Sequence, residues 1–121
     1  MIDHVVLNVS DLEASRRFYE RALAPLGLEV LMQFPDGVGF GRAGKPAFWI
    51  GRRGEACHGV HVAFACDSRE PVDAFHAAAL AAGGTDHGQP GLRPHYHPDY
   101  YGAFVLDPDG NNIEAVCHRA P

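Results

Sequence analysis

Two histidines, His4 and His61, stand 57 residues apart in matching settings, His4-Val5-Val6-Leu7 and His61-Val62-Ala63-Phe64, and a glutamate, Glu114, lies in the alternating run Asn112-Ile113-Glu114-Ala115-Val116. Imidazole nitrogens and a carboxylate are the donors a divalent ion takes from protein, and a set of three leaves positions open for water or substrate. Residues of like parity share one face of a strand. Val5, Leu7 and Val9 therefore oppose His4, Val6 and Asn8, while Val60, Val62 and Phe64 oppose His61, Ala63 and Ala65. Ile113 and Ala115 likewise alternate against Asn112, Glu114 and Val116. The expectation is a site of His4, His61 and Glu114 holding one divalent ion of zinc, manganese, nickel, cobalt or iron. The competing reading is a pair of structural histidines and a glutamate in water.

A second concentration of reactive groups is Arg93-Pro94-His95-Tyr96-His97-Pro98-Asp99-Tyr100-Tyr101. His95 or His97 could carry a proton, Tyr100 or Tyr101 could hydrogen-bond a metal-bound oxygen, and Arg93 could pair with a substrate carboxylate. The alternative is a proline-stiffened surface loop. Of the eight histidines, His58, His76, His87 and His118 have weaker cases. His76 is expected solvated on a helix and His118 near a frayed terminus, with Phe48 and Trp49 as core or cleft lining.

The elements that must position these residues come in two copies. The match at an offset of 57 places Phe18 on Phe75, Leu23 on Leu80 and Gly27 on Gly84; at an offset of 64 it places Phe40 on Phe104 and Trp49 on Ile113. The difference marks an insertion at Pro90–Pro98. Each copy reads as strand, helix and three strands. The first has a strand over 2–9 and a helix opened by the capping box Ser10-Asp11-Leu12-Glu13 and closed at Gly27. Strands follow at 28–34, 37–42 and 46–51. The second has a strand at 58–66 and a helix from about Ser68 and Pro71 to Gly83-Gly84. Its last strands, 101–106 and 111–118, are joined by the tight turn Asp107-Pro108-Asp109-Gly110. The fold class is α+β, one domain over 1–121 made of two tandem βαβββ modules, about 1–54 and 57–121.

Ten Lys and Arg against fifteen Asp and Glu leave a net charge of −5, and no basic run exists, which disfavours nucleic acid and anionic membranes as partners. No apolar stretch approaches a membrane span and no signal-peptide pattern opens the chain, so a cytoplasmic protein is expected. Three cysteines without a CxxC spacing read as free thiols.

Asp3-His4-Val5, Phe18-Tyr19 with Leu26-Gly27, His61-Val62-Ala63-Phe64, and Asp107-Pro108-Asp109-Gly110-Asn111 leading to Ile113-Glu114 together resemble the vicinal oxygen chelate superfamily along essentially the whole chain. That superfamily includes glyoxalase I, extradiol dioxygenases, fosfomycin-resistance thiol transferases and bleomycin-binding proteins. The resemblance implies a curved, cleft-bearing mixed sheet around a metal and usually a homodimer. It implies ligands from the first strand of each module and the last strand of the second, positions that match His4, His61 and Glu114. Glyoxalase I-like members add a fourth carboxylate where this chain has Ile50, so the three-ligand pattern is more similar to the dioxygenases and thiol transferases. The dioxygenases are normally longer, however, and the transferases surround a phosphonate with cations, for which only Arg42, Arg52, Arg53 and Arg93 are candidates here. The functional expectation is a metal-dependent enzyme acting on a small oxygen-rich molecule by lyase, isomerase, thiol-transferase or dioxygenase-type chemistry. The alternative is a metal-free small-molecule binding protein of the bleomycin-resistance kind.

Overall fold

The computed structural model describes all 121 residues. β1 (Val5–Asn8) leads into α1 (Leu12–Leu23) and a single 3-10 turn (Ala24–Leu26), then β2 (Glu29–Phe34), β3 (Gly37–Arg42) and β4 (Lys45–Gly51). The plan repeats as β5 (His61–Cys66), α2 (Arg69–Ala81), β6 (Thr85–Leu92), β7 (Tyr101–Leu106) and β8 (Asn112–Cys117). Each copy forms a four-stranded sheet, ordered β1-β4-β3-β2 and β5-β8-β7-β6. The first and last strands of each copy run parallel and the other neighbours antiparallel. This is the α+β duplication expected from the repeat. Within one chain, however, the cleft-bearing sheet is divided in two, and β1 and β5 are both edge strands. No helix is long and apolar enough to cross a membrane.

Parity decides which way each sheet faces. Leu7 and Val9, Val38 and Phe40, and Phe48 and Ile50 pack under α1, whose Phe18, Tyr19, Ala22 and Leu23 recur at helical spacing. Val62 and Phe64, Ala103 and Val105, and Ile113 and Ala115 do the same for α2 through Val72, Phe75 and Ala79. The helices also pack on each other, so both apolar faces drain into one core, and Phe48 meets Phe64 edge-on across the modules at 5.3 Å. Fully burying a Phe or Leu side chain contributes about 1.5–3 kcal/mol. The opposite sheet faces, which carry His4 and His61, turn outward.

Local differences from expectation have identifiable causes. The α1 N-cap is Asp11, whose carboxylate accepts from the Ala14 N–H at 3.0 Å, because Ser10 is engaged elsewhere: its N–H and hydroxyl both donate to Asp109. Gly27 closes the helical segment with φ 81°, as the left-handed stop requires. β6 runs through Pro90 to Leu92, and the inserted segment is thereby confined to residues 93–100, clasped by Arg93 N–H donating to the Tyr100 carbonyl at 2.7 Å. Proline is tolerated there because β6 is an edge strand with a register shift between Gly88 and Gly91. His76 is not solvated: it is 8% exposed, and its Nε2 meets Asp86 at 2.8 Å. That contact, first of several, lowers the Asp86 carboxyl below its ordinary range.

The Asp107–Asn111 turn does more than join β7 to β8. Buried Asp107 accepts from the Tyr19 hydroxyl on α1 and from the N–H groups of Asp109 (2.9 Å) and Asn111 (2.8 Å). Buried Asn111 donates to the Cys57 carbonyl at 3.0 Å and accepts from the Val60 N–H at 3.0 Å. The turn therefore ties the second module to the helix of the first and to the linker between them. Gly110, at φ 85°, supplies the left-handed residue that lets it close. Cys117 is buried, Cys57 and Cys66 are partly buried, and all three are free thiols.

Candidate functional site

His61 projects from the outward face of β5, and its Nε2 lies 2.8 Å from Glu114 Oε1 on the adjoining strand β8. The β5–β8 register pairs Ala63 with Glu114 and His61 with Asn112, so the two reactive side chains are diagonal neighbours on one face. Glu114 is only 1% exposed, contrary to a carboxylate left in water. Its second oxygen accepts from the Tyr100 hydroxyl. Burial, followed by that bond to Glu114, raises the Tyr100 phenol far above its ordinary range, so Tyr100 keeps its proton and donates a hydrogen bond to the carboxylate. Gly102 makes the room: a Cβ there would sit 3.1 Å from Glu114 Oε2 and 3.3 Å from the Tyr100 ring.

Arg93 borders this site but is held by its own loop. Its guanidinium lies over the Phe104 ring at 5.3 Å and donates to the carbonyls of Gly91 (2.9 Å) and Gln89 (2.8 Å). The other loop candidates are elsewhere. Tyr101 begins β7 with the parity of Ala103 and Val105, so it points toward α2, where its hydroxyl donates to Asp73 at 2.6 Å. His97 Nε2 meets His118 Nδ1 at 2.9 Å, and the His95 ring lies against exposed Tyr96 with centroids 4.2 Å apart and planes tilted by 43°. None of Tyr101, His95 and His97 contacts His61 or Glu114. The strand expected at 101–106 is the observed β7, so the parity of Tyr101 with Ala103 and Val105 is itself the signal that it faces the helix.

His4 belongs to the other sheet. It projects from the segment leading into β1, and its Nδ1 is 2.7 Å from Asp3 Oδ1, which also meets Lys45 Nζ at 2.8 Å. Lys45, then His4, hold the Asp3 carboxyl below its ordinary range. A carboxylate on Nδ1 leaves Nε2 as the outward lone pair, the arrangement that commonly orients a metal-binding imidazole. Asp3 is a partner that sequence reasoning missed, though its adjacency to His4 was the available signal. Within one chain no group of three His, Cys, Asp or Glu side chains is positioned to hold a metal ion. The expected convergence of His4 with His61 and Glu114 is thus not made inside a single copy, because the two modules pack helix to helix and turn their outward faces apart.

His4 instead opens onto a cleft of about 410 Å³ on the first sheet, lined by Val6, Phe34, Trp49, Asp36 and Arg53. Gly37 of β3 and Gly51 of β4 are also part of its lining. A Cβ on Gly39 would fall 2.8–2.9 Å from three atoms of the Trp49 indole, so the indole lies flat on the strand only because that position is bare. Phe34 adds a second ring nearly parallel to it, with centroids 6.1 Å apart and planes 12° from parallel.

Glu114 Oε1 and His61 Nε2, 2.8 Å apart, present a nitrogen and an anionic oxygen side by side, as two neighbouring ligands of one ion do, and His4 offers a further oriented imidazole. The residue types fit a divalent ion, for which His61 and Glu114 would supply two ligands within one chain.

The family model described as Glyoxalase/Bleomycin resistance protein/Dioxygenase superfamily matches residues 1–115. Among solved structures, a glyoxalase/bleomycin resistance protein from Albidiferax ferrireducens T118 is 36% identical with a TM-score of 0.83, covering 97% of this chain and 98% of that one. A glyoxalase/bleomycin resistance protein/dioxygenase family enzyme from Burkholderia phytofirmans PsJN is 22% identical with a TM-score of 0.74, covering 98% of both chains. A lactoylglutathione lyase from Agrobacterium tumefaciens is 21% identical with a TM-score of 0.70, covering 97% of this chain and 92% of that one. These last two likenesses bear on the fold. No curated protein matches the chain.

Proposed function

This chain belongs to the Glyoxalase/Bleomycin resistance protein/Dioxygenase superfamily, and from that premise we propose that it is a metal-dependent enzyme acting on a small oxygen-rich molecule. Its site is formed by His61 and Glu114 of one chain with His4 of the partner subunit in a homodimer. The observation that carries the reading is the 2.8 Å pair of His61 Nε2 and buried Glu114 Oε1. Two sheet edges support the dimer. β1 and β5 are the outer strands of their sheets, with the linker's Cys57 N–H donating to the Asn8 carbonyl of β1 at 2.8 Å, and Ile2, Val5, Val6 and Val60 beside them are exposed apolar residues. Exposed, apolar edges are a liability that a second copy removes. A two-fold arrangement setting β1 of one chain beside β5 of the other brings His4 to His61 and makes two equal sites.

A divalent ion held there supplies Lewis-acid polarisation of adjacent substrate oxygens. The chain's own residues have separate tasks. Asp3 fixes the ring of His4, and Tyr100 fixes the carboxylate of Glu114. Phe104 keeps the Arg93 charge at the rim, where an anionic substrate group can draw it from the loop carbonyls. A metal-free binding protein is the second reading, supported by the apolar cleft of Val6, Phe34 and Trp49.

Elemental analysis of protein purified without chelator separates the two. About one ion per chain is expected, lost in His61→Ala and in Glu114→Gln. Equally negligible metal in all three proteins overturns the enzyme reading.

A further inference from the structure

The first-sheet cleft has a recognition surface that the metal site does not need. Trp49 and Phe34 present two nearly parallel rings, and the 410 Å³ space beside them accommodates a bicyclic ring system. Charge restricts the occupant. The two cations of the cleft are already matched, Lys45 by Asp3 and Arg53 by Asp36, each at 2.8 Å, so neither sign is in excess around the rings. Trp49 is partly buried and Phe34 is 53% exposed; an aromatic side chain left that open has surface to gain from a flat partner. We infer that this cleft is a stacking subsite for an uncharged, planar aromatic ring, with the Trp49 indole as its platform and bare Gly39 as the feature that lets the platform lie flat.

The cleft lies on the first sheet with His4 at its edge, so binding is measured without metal. Trp49 is the single tryptophan of the chain, so one indole N–H signal in a nitrogen–proton NMR spectrum reports the subsite. Three probes are titrated into chelator-treated protein: quinoxaline (planar, neutral), naphthalene-2-sulfonate (planar, anionic) and cyclohexanol (neutral, non-planar). Quinoxaline is expected to give a saturable shift of that signal, with the other two markedly weaker. By ligand-observed NMR, Trp49→Leu should weaken quinoxaline about tenfold, the scale of one aromatic stacking contact. Gly39→Val, which displaces the indole, should do the same, and Phe34→Ala should weaken binding in the same direction. The proposal is overturned by an absence of saturable shift at millimolar quinoxaline or by cyclohexanol or the sulfonate matching it. Undiminished binding to Trp49→Leu overturns it equally.

Discussion

Replacing Tyr19 with phenylalanine removes one oxygen atom from the junction of the two modules and nothing else. Tyr19 is fully buried, and its hydroxyl donates to Asp107, itself 5% exposed. A hydrogen bond to a charged group contributes about 1.5–3 kcal/mol. Asp107 keeps the Asp109 and Asn111 N–H groups and the Asn111 amide, so the carboxylate is not orphaned and the loss belongs at the lower end, about 1.5–2 kcal/mol. For a domain of this size that is a fall of about 6–8 °C in Tm. The pH dependence supplies a second handle. Burial first, then the charge and acceptance of Asp107, hold the Tyr19 phenol well above its ordinary value of 10. A group whose proton is bound more tightly in the folded state stabilises fully below its unfolded value and loses that contribution as pH rises through the folded one. Wild-type stability should therefore decline above pH 10, and the gap between wild type and Tyr19→Phe should narrow there. Circular dichroism melts at pH 7 and pH 10.5 measure both. A variant within about 0.5 kcal/mol of wild type at pH 7, or a gap that widens in alkali, refutes the assignment of Asp107 and Tyr19 as the inter-module fastening.

Three further outcomes are expected. His4→Ala and Glu114→Ala chains, each without metal alone, should on mixing regain about a quarter of the wild-type metal, because half the dimers are mixed and each has one intact site of two; no recovery in subunits proven to exchange sinks the shared-site arrangement. Tyr100→Phe should weaken metal affinity by about 10–100-fold, the usual effect of removing a hydrogen-bond partner of a ligand, with the melting curve of the metal-free protein shifted far less. Asp86, whose carboxyl is lowered chiefly by its contact with His76, stabilises above its unfolded value of 3.8 and less as pH falls. Asp86→Asn should accordingly flatten the acid limb of a stability–pH curve, and an unchanged limb counts against the contact.

The repeat and the strand parities were readable because both are local: an apolar residue at every second position declares a face wherever the strand pairs. That was enough for His61 and Glu114, whose strands adjoin in the same module. It was not enough for His4. The equivalence of His4 and His61 is a statement about two modules, and whether those modules face each other depends on packing between α1 and α2, which no spacing encodes. Ser10 was read as a cap because its partner, Asp109, is 99 positions away. Tyr19 and Asn111 escaped notice for the same reason, although their motifs were recognised. Helical spacing, with Val72, Phe75, His76 and Ala79 at i, i+3, i+4 and i+7, already puts His76 on the buried stripe; what no spacing encodes is the Asp86 carboxylate on β6.

Along β3, stability and ligand choice are assigned to alternate residues. Val38 and Phe40 are buried in the core, and Gly41 is immovable because a Cβ there would lie 1.9 Å from the Lys45 carbonyl oxygen. Gly39 alone meets only a side chain, the Trp49 indole. Its replacement by alanine, serine or valine would tilt or evict one indole while leaving the helix side of the sheet untouched. A single codon thus offers a lineage a graded series of clefts at almost constant foldedness, and divergence in what such proteins bind can begin at that position.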